Sequence, residues 1–253
     1  MKLKMNFIYR VRIALFFSTS TLFAAPLPTL HIATSGFNPP FVIQDTKNEI
    51  YGFDIEMMNS LCKNLERTCR YHLMSFEQML AKVAAEQIDI ALGSITITAE
   101  REKIINFSLP YLPSYSRFLT KTSKKFPTPF NLKLLNGKKI GLGAGTVFIH
   151  QITALGISKA TIKQYASVSD ELEALSKNEV DMLLLDNATA IYWASNSSSI
   201  FQLIGPKYNY GDGLGIAVNP GNPALLTEIN EALLQYQNSN EYKLNYNKYL
   251  LEF

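Results

Sequence analysis

The charged residues Arg101 and Asp186 have side chains that could bind opposite charges on a small ligand. A guanidinium binds a carboxylate through two parallel hydrogen bonds, which give both charge and geometric complementarity. Asp186 follows the apolar run 182–185, as expected at the open end of a buried strand, and its carboxylate could pair with an ammonium group. Each residue has a structural alternative: Arg101 could lie on the surface in a charged turn, and Asp186 could cap the next helix.

Hydroxyl and backbone groups accompany these two charges along the chain. Ser94 and Thr96 come shortly before Arg101 and place hydroxyls beside it, although polar residues are also ordinary at strand ends. Thr146 follows Gly145 and precedes a predicted helix, where free backbone N–H groups favour a carboxylate. The chain contains no Gly-x-Ser-x-Gly motif, which disfavours a nucleophilic hydrolase.

The elements that position these residues alternate between strands and helices. Short apolar runs predict strands at residues 30–33, 70–73, 88–92, 138–142, 161–165, 181–185 and 214–218. Helical spacing predicts helices at 53–65, at 76–85 with Ser75 as its cap, at 147–154, at 169–177 and within 223–251. The pattern starts again after a turn-rich junction at 110–137. This order predicts an α/β fold with two mostly parallel sheets flanked by helices, and ligands in such folds lie at strand ends.

Three segments carry a resemblance to a known family: the aromatic, proline-rich turn 36–41, the stretch 51–62, and the stretch 93–101. Their order and spacing resemble the extracellular solute-binding proteins of polar amino-acid ABC importers, solute-binding family 3. The resemblance covers nearly all of the chain after about residue 28. It implies a two-lobed periplasmic binding protein fold, type II-like, with the ligand in the interlobe cleft. The implied domains are lobe I at 26–114, lobe II at 115–208, and a return segment of lobe I at 209–253.

The resemblance also implies roles for the polar residues. Arg101 is the clamp for the α-carboxylate of an amino acid, and Ser94, Thr96 and Thr146 lie beside that clamp. Asp186, from the other lobe, pairs with the α-ammonium, so that the two charges together recognise a zwitterion. Each charge alone would be costly to bury, but the ligand supplies both counter-charges.

The side-chain pocket combines conflicting signals. Relatives place an aromatic residue just before the Pro-Phe of the first loop, where this chain has Asn38, with Phe37 one residue earlier. Phe76 matches a second aromatic wall of relatives that bind basic amino acids, although it could instead be a core residue. Those relatives carry an acid where this chain has Ser35. The expected ligand is therefore an amino acid, with polar or basic side chains favoured and arginine as an example.

The N-terminal segment has the composition of a signal peptide. Four Lys or Arg residues precede an apolar region, and Ala24-Ala25-Pro26 offers a small-residue cleavage region. The alternative is an uncleaved membrane anchor, but the apolar run is short for a bilayer. Without the four basic residues of 1–25, 20 basic and 21 acidic residues remain, a net charge of −1. Nothing in that balance indicates binding to nucleic acid or to a membrane surface.

The two cysteines, Cys62 and Cys69, predict a disulfide in an exported protein. Free thiols are the main alternative, and a metal site would need more ligands. The spacing also matches the disulfide of the arginine-, lysine- and histidine-binding branch of the resembled family.

These expectations combine into a non-enzymatic function without a cofactor. We expect a periplasmic monomer that captures an amino acid and delivers it to an inner-membrane ABC permease. One alternative is a secreted dehydratase of the same fold acting on arogenate- or prephenate-like acids. The other is a ligand-sensing binding protein that serves a receptor.

Overall fold

The computed structural model describes residues 27–127 and 129–251, so the predicted signal peptide at 1–25 lies outside the described residues. The strands are β1 (Leu30–Thr34), β2 (Phe37–Asn38), β3 (Val42–Gln44), β4 (Ile50–Tyr51), β5 (Cys69–Leu73), β6 (Ile90–Leu92), β7 (Asn106–Phe107), β8 (Tyr115–Lys121), β9 (Lys139–Gly143), β10 (Thr161–Tyr165), β11 (Met182–Asp186), β12 (Phe201–Asn209) and β13 (Ala217–Val218). The α-helices are α1 (Phe53–Asn64), α2 (Phe76–Ala84), α3 (Phe148–Ala154), α4 (Val168–Ser176), α5 (Asn187–Asn196), α6 (Pro223–Gln237) and α7 (Asn240–Tyr246). Short 3₁₀ turns cover Arg101–Lys103 and Leu132–Leu135, and a π-helical turn covers Asn247–Leu251.

Two five-stranded sheets form the framework, and they share one architecture. The first has the order β5-β1-β6-β13-β7, and the second has the order β10-β9-β11-β8-β12. Three neighbouring strands of each sheet are parallel, and one strand, β13 or β8, runs antiparallel to both of its neighbours. The mostly parallel sheets of the sequence prediction are therefore present. A small antiparallel sheet, β2-β3-β4, lies beside the first.

The helices form because their apolar faces match the sheets that they cover. In α1 the side chains of Phe53, Met57 and Leu61 recur every four residues, and all three are fully buried. They pack with Ile229 and Leu233 of α6 in one core cluster. Each such burial contributes roughly 1.5–3 kcal/mol.

The predicted start of α2 and the predicted disulfide are both confirmed. Ser75 Oγ accepts a hydrogen bond from the Gln78 N–H, and Gln78 Oε1 accepts one from the Ser75 N–H, which completes a capping box. Cys62 and Cys69 form a disulfide between α1 and the first residue of β5, with their Cα atoms 6.1 Å apart.

Part of the sequence prediction was wrong. The segment 110–137 is not a turn-rich junction throughout, because β8 lies inside it and forms a central strand of the second sheet. The predicted strand 214–218 is regular only at Ala217–Val218. Leu214 instead makes isolated bridges to Thr96 and Leu112, just before the chain enters the first sheet as β13.

The chain passes between the two sheets twice, from β7 to β8 and from β12 to β13. The two crossing segments lie side by side, and the Leu214 N–H donates to Leu112 O over 2.8 Å. Gly211 has a φ of +71°, and a Cβ added there would lie 2.4 Å from the Ile97 carbonyl oxygen. Glycine is therefore required where this segment approaches the first sheet.

No helix within the described ranges combines the length and the apolar character that crossing a bilayer requires.

Candidate functional site

A cavity of about 470 Å³ lies between the ends of the two sheets. Its lining includes all eight residues predicted for the site, Phe37, Asn38, Phe76, Ser94, Thr96, Arg101, Thr146 and Asp186. The first six precede β8. Thr146 follows β9 of the second sheet, and Asp186 is the last residue of β11 in the same sheet. The structure thus brings together residues that are up to about 150 positions apart, although ligand binding by each of them stays a prediction.

Arg101 does not project from the surface, as its structural alternative would require. Its Nη1 donates to the Thr96 carbonyl oxygen over 2.8 Å, and its Nη2 donates to the Gly145 carbonyl oxygen over 3.0 Å. The guanidinium carbon lies 5.4 Å from the centre of the Phe76 ring, within range of a cation–π contact. Burial lowers the pKa of Arg101 to about 10, so the guanidinium remains charged at neutral pH.

Asp186 is held by a hydroxyl that comes from the first sheet. Ser94 Oγ donates to Asp186 Oδ2 over 2.8 Å, and Asn38 Nδ2 donates to Ser94 Oγ over 2.9 Å. Asn38 Oδ1 in turn accepts a hydrogen bond from Thr189 Oγ1 of α5 over 3.0 Å. Asp186 precedes α5, but its side chain makes no capping bond, so the capping alternative is not realised.

The carboxyl of Asp186 is easier to protonate than an exposed aspartate. Burial raises its pKa to about 6, while the hydrogen bonds from Ser94 and Asn38 and the charge of Arg101 act in the opposite direction. A cationic group that enters the cavity would stabilise the ionised form.

Asp54, which sequence reasoning missed, binds the backbone of Ser94. Its Oδ2 accepts the Ser94 backbone N–H over 2.8 Å and the Tyr111 hydroxyl over 3.0 Å. Ser94 has a φ of +48°, a conformation that costs energy for a residue with a Cβ. Asp54 is fully buried, and burial raises its pKa to about 7. The carboxyl thereby holds the Ser94 backbone in the orientation that directs its hydroxyl at Asp186.

Phe37 supplies aromatic lining from the first loop of the chain. Phe37 lies edge-on to Trp193 of α5, with ring centres 6.0 Å apart. Asn38 uses its amide for Ser94 and Thr189, so the aromatic surface in this loop comes from its neighbour Phe37.

The loop after β9 differs in detail from the prediction. The Thr146 N–H and hydroxyl both donate to the Gly143 carbonyl oxygen, over 3.3 and 2.7 Å. The N–H of Thr146 is therefore not free for an anion, because a tight turn precedes α3, which begins only at Phe148.

Glu171 of α4 is a second residue that sequence reasoning missed. It lines the cavity, is 2% exposed, and its Oε2 has no hydrogen-bond partner among the described residues. The sequence signal for its burial was its helical position, because Glu171 shares the apolar face of α4 with Val168, Leu172 and Leu175.

Comparison with known proteins places this chain in a family. The pattern of the family described as "Bacterial extracellular solute-binding proteins, family 3" matches residues 30–252. The chain belongs to this family. The resemblance inferred from the three sequence segments is confirmed.

Individual family 3 relatives match along most of their length. An arginine-binding periplasmic protein of Mannheimia haemolytica is 30% identical over 216 residues, which cover 84% of this chain and 87% of the relative. A putative ABC transporter arginine-binding protein 2 of Escherichia coli (strain K12) is 28% identical over 244 residues, covering 95% and 98%. The crystal structure of an arginine 3rd transport system periplasmic binding protein from Legionella pneumophila superposes with a TM-score of 0.82 at 33% identity, covering 88% and 99%.

These structural relatives confirm the predicted fold class of this family 3 protein, the two-lobed periplasmic binding protein fold. The two sheets described above, with their flanking helices, correspond to its two lobes.

Proposed function

We propose that this family 3 protein is the substrate-binding component of an amino-acid ABC importer. The observation that carries the proposal is the placement of Arg101 and Asp186 in one cavity: Arg101 lies in the turn after β6 of the first sheet, and Asp186 ends β11 of the second. The two side chains make no direct ion pair with each other in the described part of the chain. Their charges complement the α-carboxylate and the α-ammonium of an amino acid, which would satisfy both.

We further propose that capture depends on movement of the lobes about the two crossing segments. Among the described residues, hydrogen bonds that span the cleft join Arg101 to Gly145, Ser94 to Asp186, and Thr189 to Asn38. They support the interpretation that this conformation is closed, so a ligand would enter after a hinge opening. The proposed boundaries are 26–114 and 209–253 for lobe I and 115–208 for lobe II.

The proposed ligand class is polar or basic amino acids, with arginine favoured. The relatives named above as arginine-binding proteins support this choice. The aromatic walls Phe37 and Phe76 support it as well, because cations bind well against aromatic rings. We propose that the protein acts in the periplasm as a monomer, after removal of residues 1–25, that it delivers its ligand to an inner-membrane permease, and that it catalyses no reaction.

Thermal unfolding of the mature protein tests the proposal directly. Each of the twenty amino acids, ornithine and citrulline is added in turn, because a ligand that binds only the native state raises the unfolding temperature. A rise with one or a few amino acids is expected. No rise with any of them would contradict the proposed function, and turnover of arogenate would instead establish the dehydratase alternative.

A further inference from the structure

Glu171 is a buried carboxylate that the binding of a zwitterion leaves without a partner. It lies in the first turn of α4, is 2% exposed, and lines the same cavity as Arg101 and Asp186. A Cβ added at Gly143 would lie 3.4 Å from Glu171 Oε1, so this carboxylate borders the loop after β9. Its Oε2 has no hydrogen-bond partner among the residues described.

The charges around Glu171 do not compensate it. Those that act on its carboxyl belong to Asp186 and Asp170, and both are negative. Burial, followed by these two like charges, raises the pKa of Glu171 well above its ordinary value. An unpaired buried carboxyl is destabilising, so it is more readily explained by a partner that arrives from outside than by packing.

The charge of the cavity indicates what that partner is. Arg101 contributes one positive charge, whereas Asp186 and Glu171 contribute two negative charges when ionised. The α-carboxylate and α-ammonium of an amino acid would use Arg101 and Asp186. A third charged group on the ligand, a cation, would then pair with the carboxylate that remains.

We propose that Glu171 binds the cationic side-chain group of a basic L-amino acid and thereby determines specificity for it. This inference rests on the proposed amino-acid-binding function. Glu171, from the opposite lobe, would supply the acid that relatives carry at the position of Ser35. Arginine fits the surroundings, because a planar guanidinium can pair with a carboxylate through two hydrogen bonds and stack on aromatic walls.

A comparison of arginine with citrulline separates amino-acid binding as such from recognition of the side-chain charge by Glu171. Citrulline has nearly the same shape as arginine, but its side chain ends in a neutral ureido group. Calorimetric titration of both ligands into the wild type and into Glu171→Gln measures the role of one charge. We expect the wild type to prefer arginine by about tenfold or more. In Glu171→Gln, arginine affinity should fall by about tenfold or more while citrulline affinity changes less than about threefold.

The matched control is Glu173→Gln, which removes an exposed carboxylate from the same helix and should leave both affinities unchanged. Proton release provides a readout that needs no variant. Titrations of the wild type in buffers with different ionisation enthalpies, at a pH at which Glu171 is protonated in the free protein, should show more protons released on binding arginine than citrulline, because only arginine requires Glu171 to ionise.

Two results would overturn the inference while leaving the proposed function intact. One is an arginine-to-citrulline preference that is equal in the wild type and in Glu171→Gln. The other is equal proton release with both ligands. A wild type that binds no amino acid would instead contradict the proposed function itself.

Discussion

The Ser94 hydroxyl donates a hydrogen bond to Asp186 Oδ2 across the cleft, over 2.8 Å, although Ser94 follows β6 of the first sheet and Asp186 ends β11 of the second. Asp54, behind Ser94, fixes the backbone N–H of the donor. A buried carboxyl of one lobe thus positions the hydroxyl that orients a carboxyl of the other. The proposed ammonium site therefore depends on residues of both lobes, and it is complete only when the lobes are together.

The first prediction concerns the two charges of the proposed clamp. Arg101→Ala and Asp186→Ala should each weaken amino-acid binding by about 2–5 kcal/mol, because each leaves one charge of the bound ligand without its partner. The fold should persist, and calorimetry measures the loss. Arg70→Ala removes an exposed arginine and should have no effect. Affinity near that of the wild type in either clamp variant would contradict the assignment.

The second prediction is a pH dependence of binding through Asp186. Its pKa is about 6 without ligand, and ammonium binding requires the ionised carboxyl. Affinity for a neutral amino acid such as glutamine should therefore rise between pH 5 and 7, by at most about tenfold per pH unit. Titrations across this range measure the slope, and Asp186→Asn should remove it. An equal slope in both proteins would rule out Asp186 as the titrating group.

The third prediction concerns stability and Asp54. Its pKa is about 7 in the folded protein and 3.8 as the ordinary value, so the folded state binds the extra proton between these values. Stability must then fall as the pH rises from about 4 to about 7, by a contribution on the order of 4 kcal/mol. Urea unfolding at pH 4.5 and pH 8 should show this loss in the wild type relative to Asp54→Asn. Parallel changes in the two proteins would contradict it.

The fourth prediction compares two glycines with the same backbone conformation. Gly211 and Gly156 both have a φ of +71°, but only at Gly211 would a Cβ meet the backbone, at the Ile97 carbonyl oxygen. Gly156→Ala should cost about 1–2 kcal/mol for the left-handed conformation alone. Gly211→Ala should cost more, roughly 3 kcal/mol or above, since the crossing segment must also shift. Chemical denaturation of both variants measures the difference in unfolding free energy. Equal losses of stability would show that the crossing segment can shift without an energetic cost, which would contradict the prediction.

Sequence reasoning predicted the elements whose periodicity is strong. The apolar spacing of α1 and the buried run of β11 gave bounds within two residues. The strand β8 was missed because Pro110 and Pro113 precede it and signal turns, whereas its antiparallel partners become visible only in three dimensions.

The family motifs led to the eight predicted residues that line the cavity, whereas their role in ligand binding stays a prediction. Asp54 remained hidden because an acid in the first turn of a helix is ordinary, and its bond to Ser94 joins residues 40 positions apart. Glu171 remained hidden for a similar reason, because a single acid on an otherwise apolar helical face does not disturb the pattern of an amphipathic helix. Only the positions of the surrounding strands show that both carboxyls are enclosed.

The place of β13 in the first sheet constrains the order in which the two sheets can be completed. It pairs with both β6 and β7, although roughly 110 residues and the whole second sheet separate it from β7 along the chain. The second sheet comes from one uninterrupted segment, so it can form while the first still has an open edge at β6. Thr96 pairs with Leu214, just before β13. The first sheet therefore stays incomplete until β13, the last strand among the described residues, has been inserted, so a cleft between two finished sheets is a late product of folding.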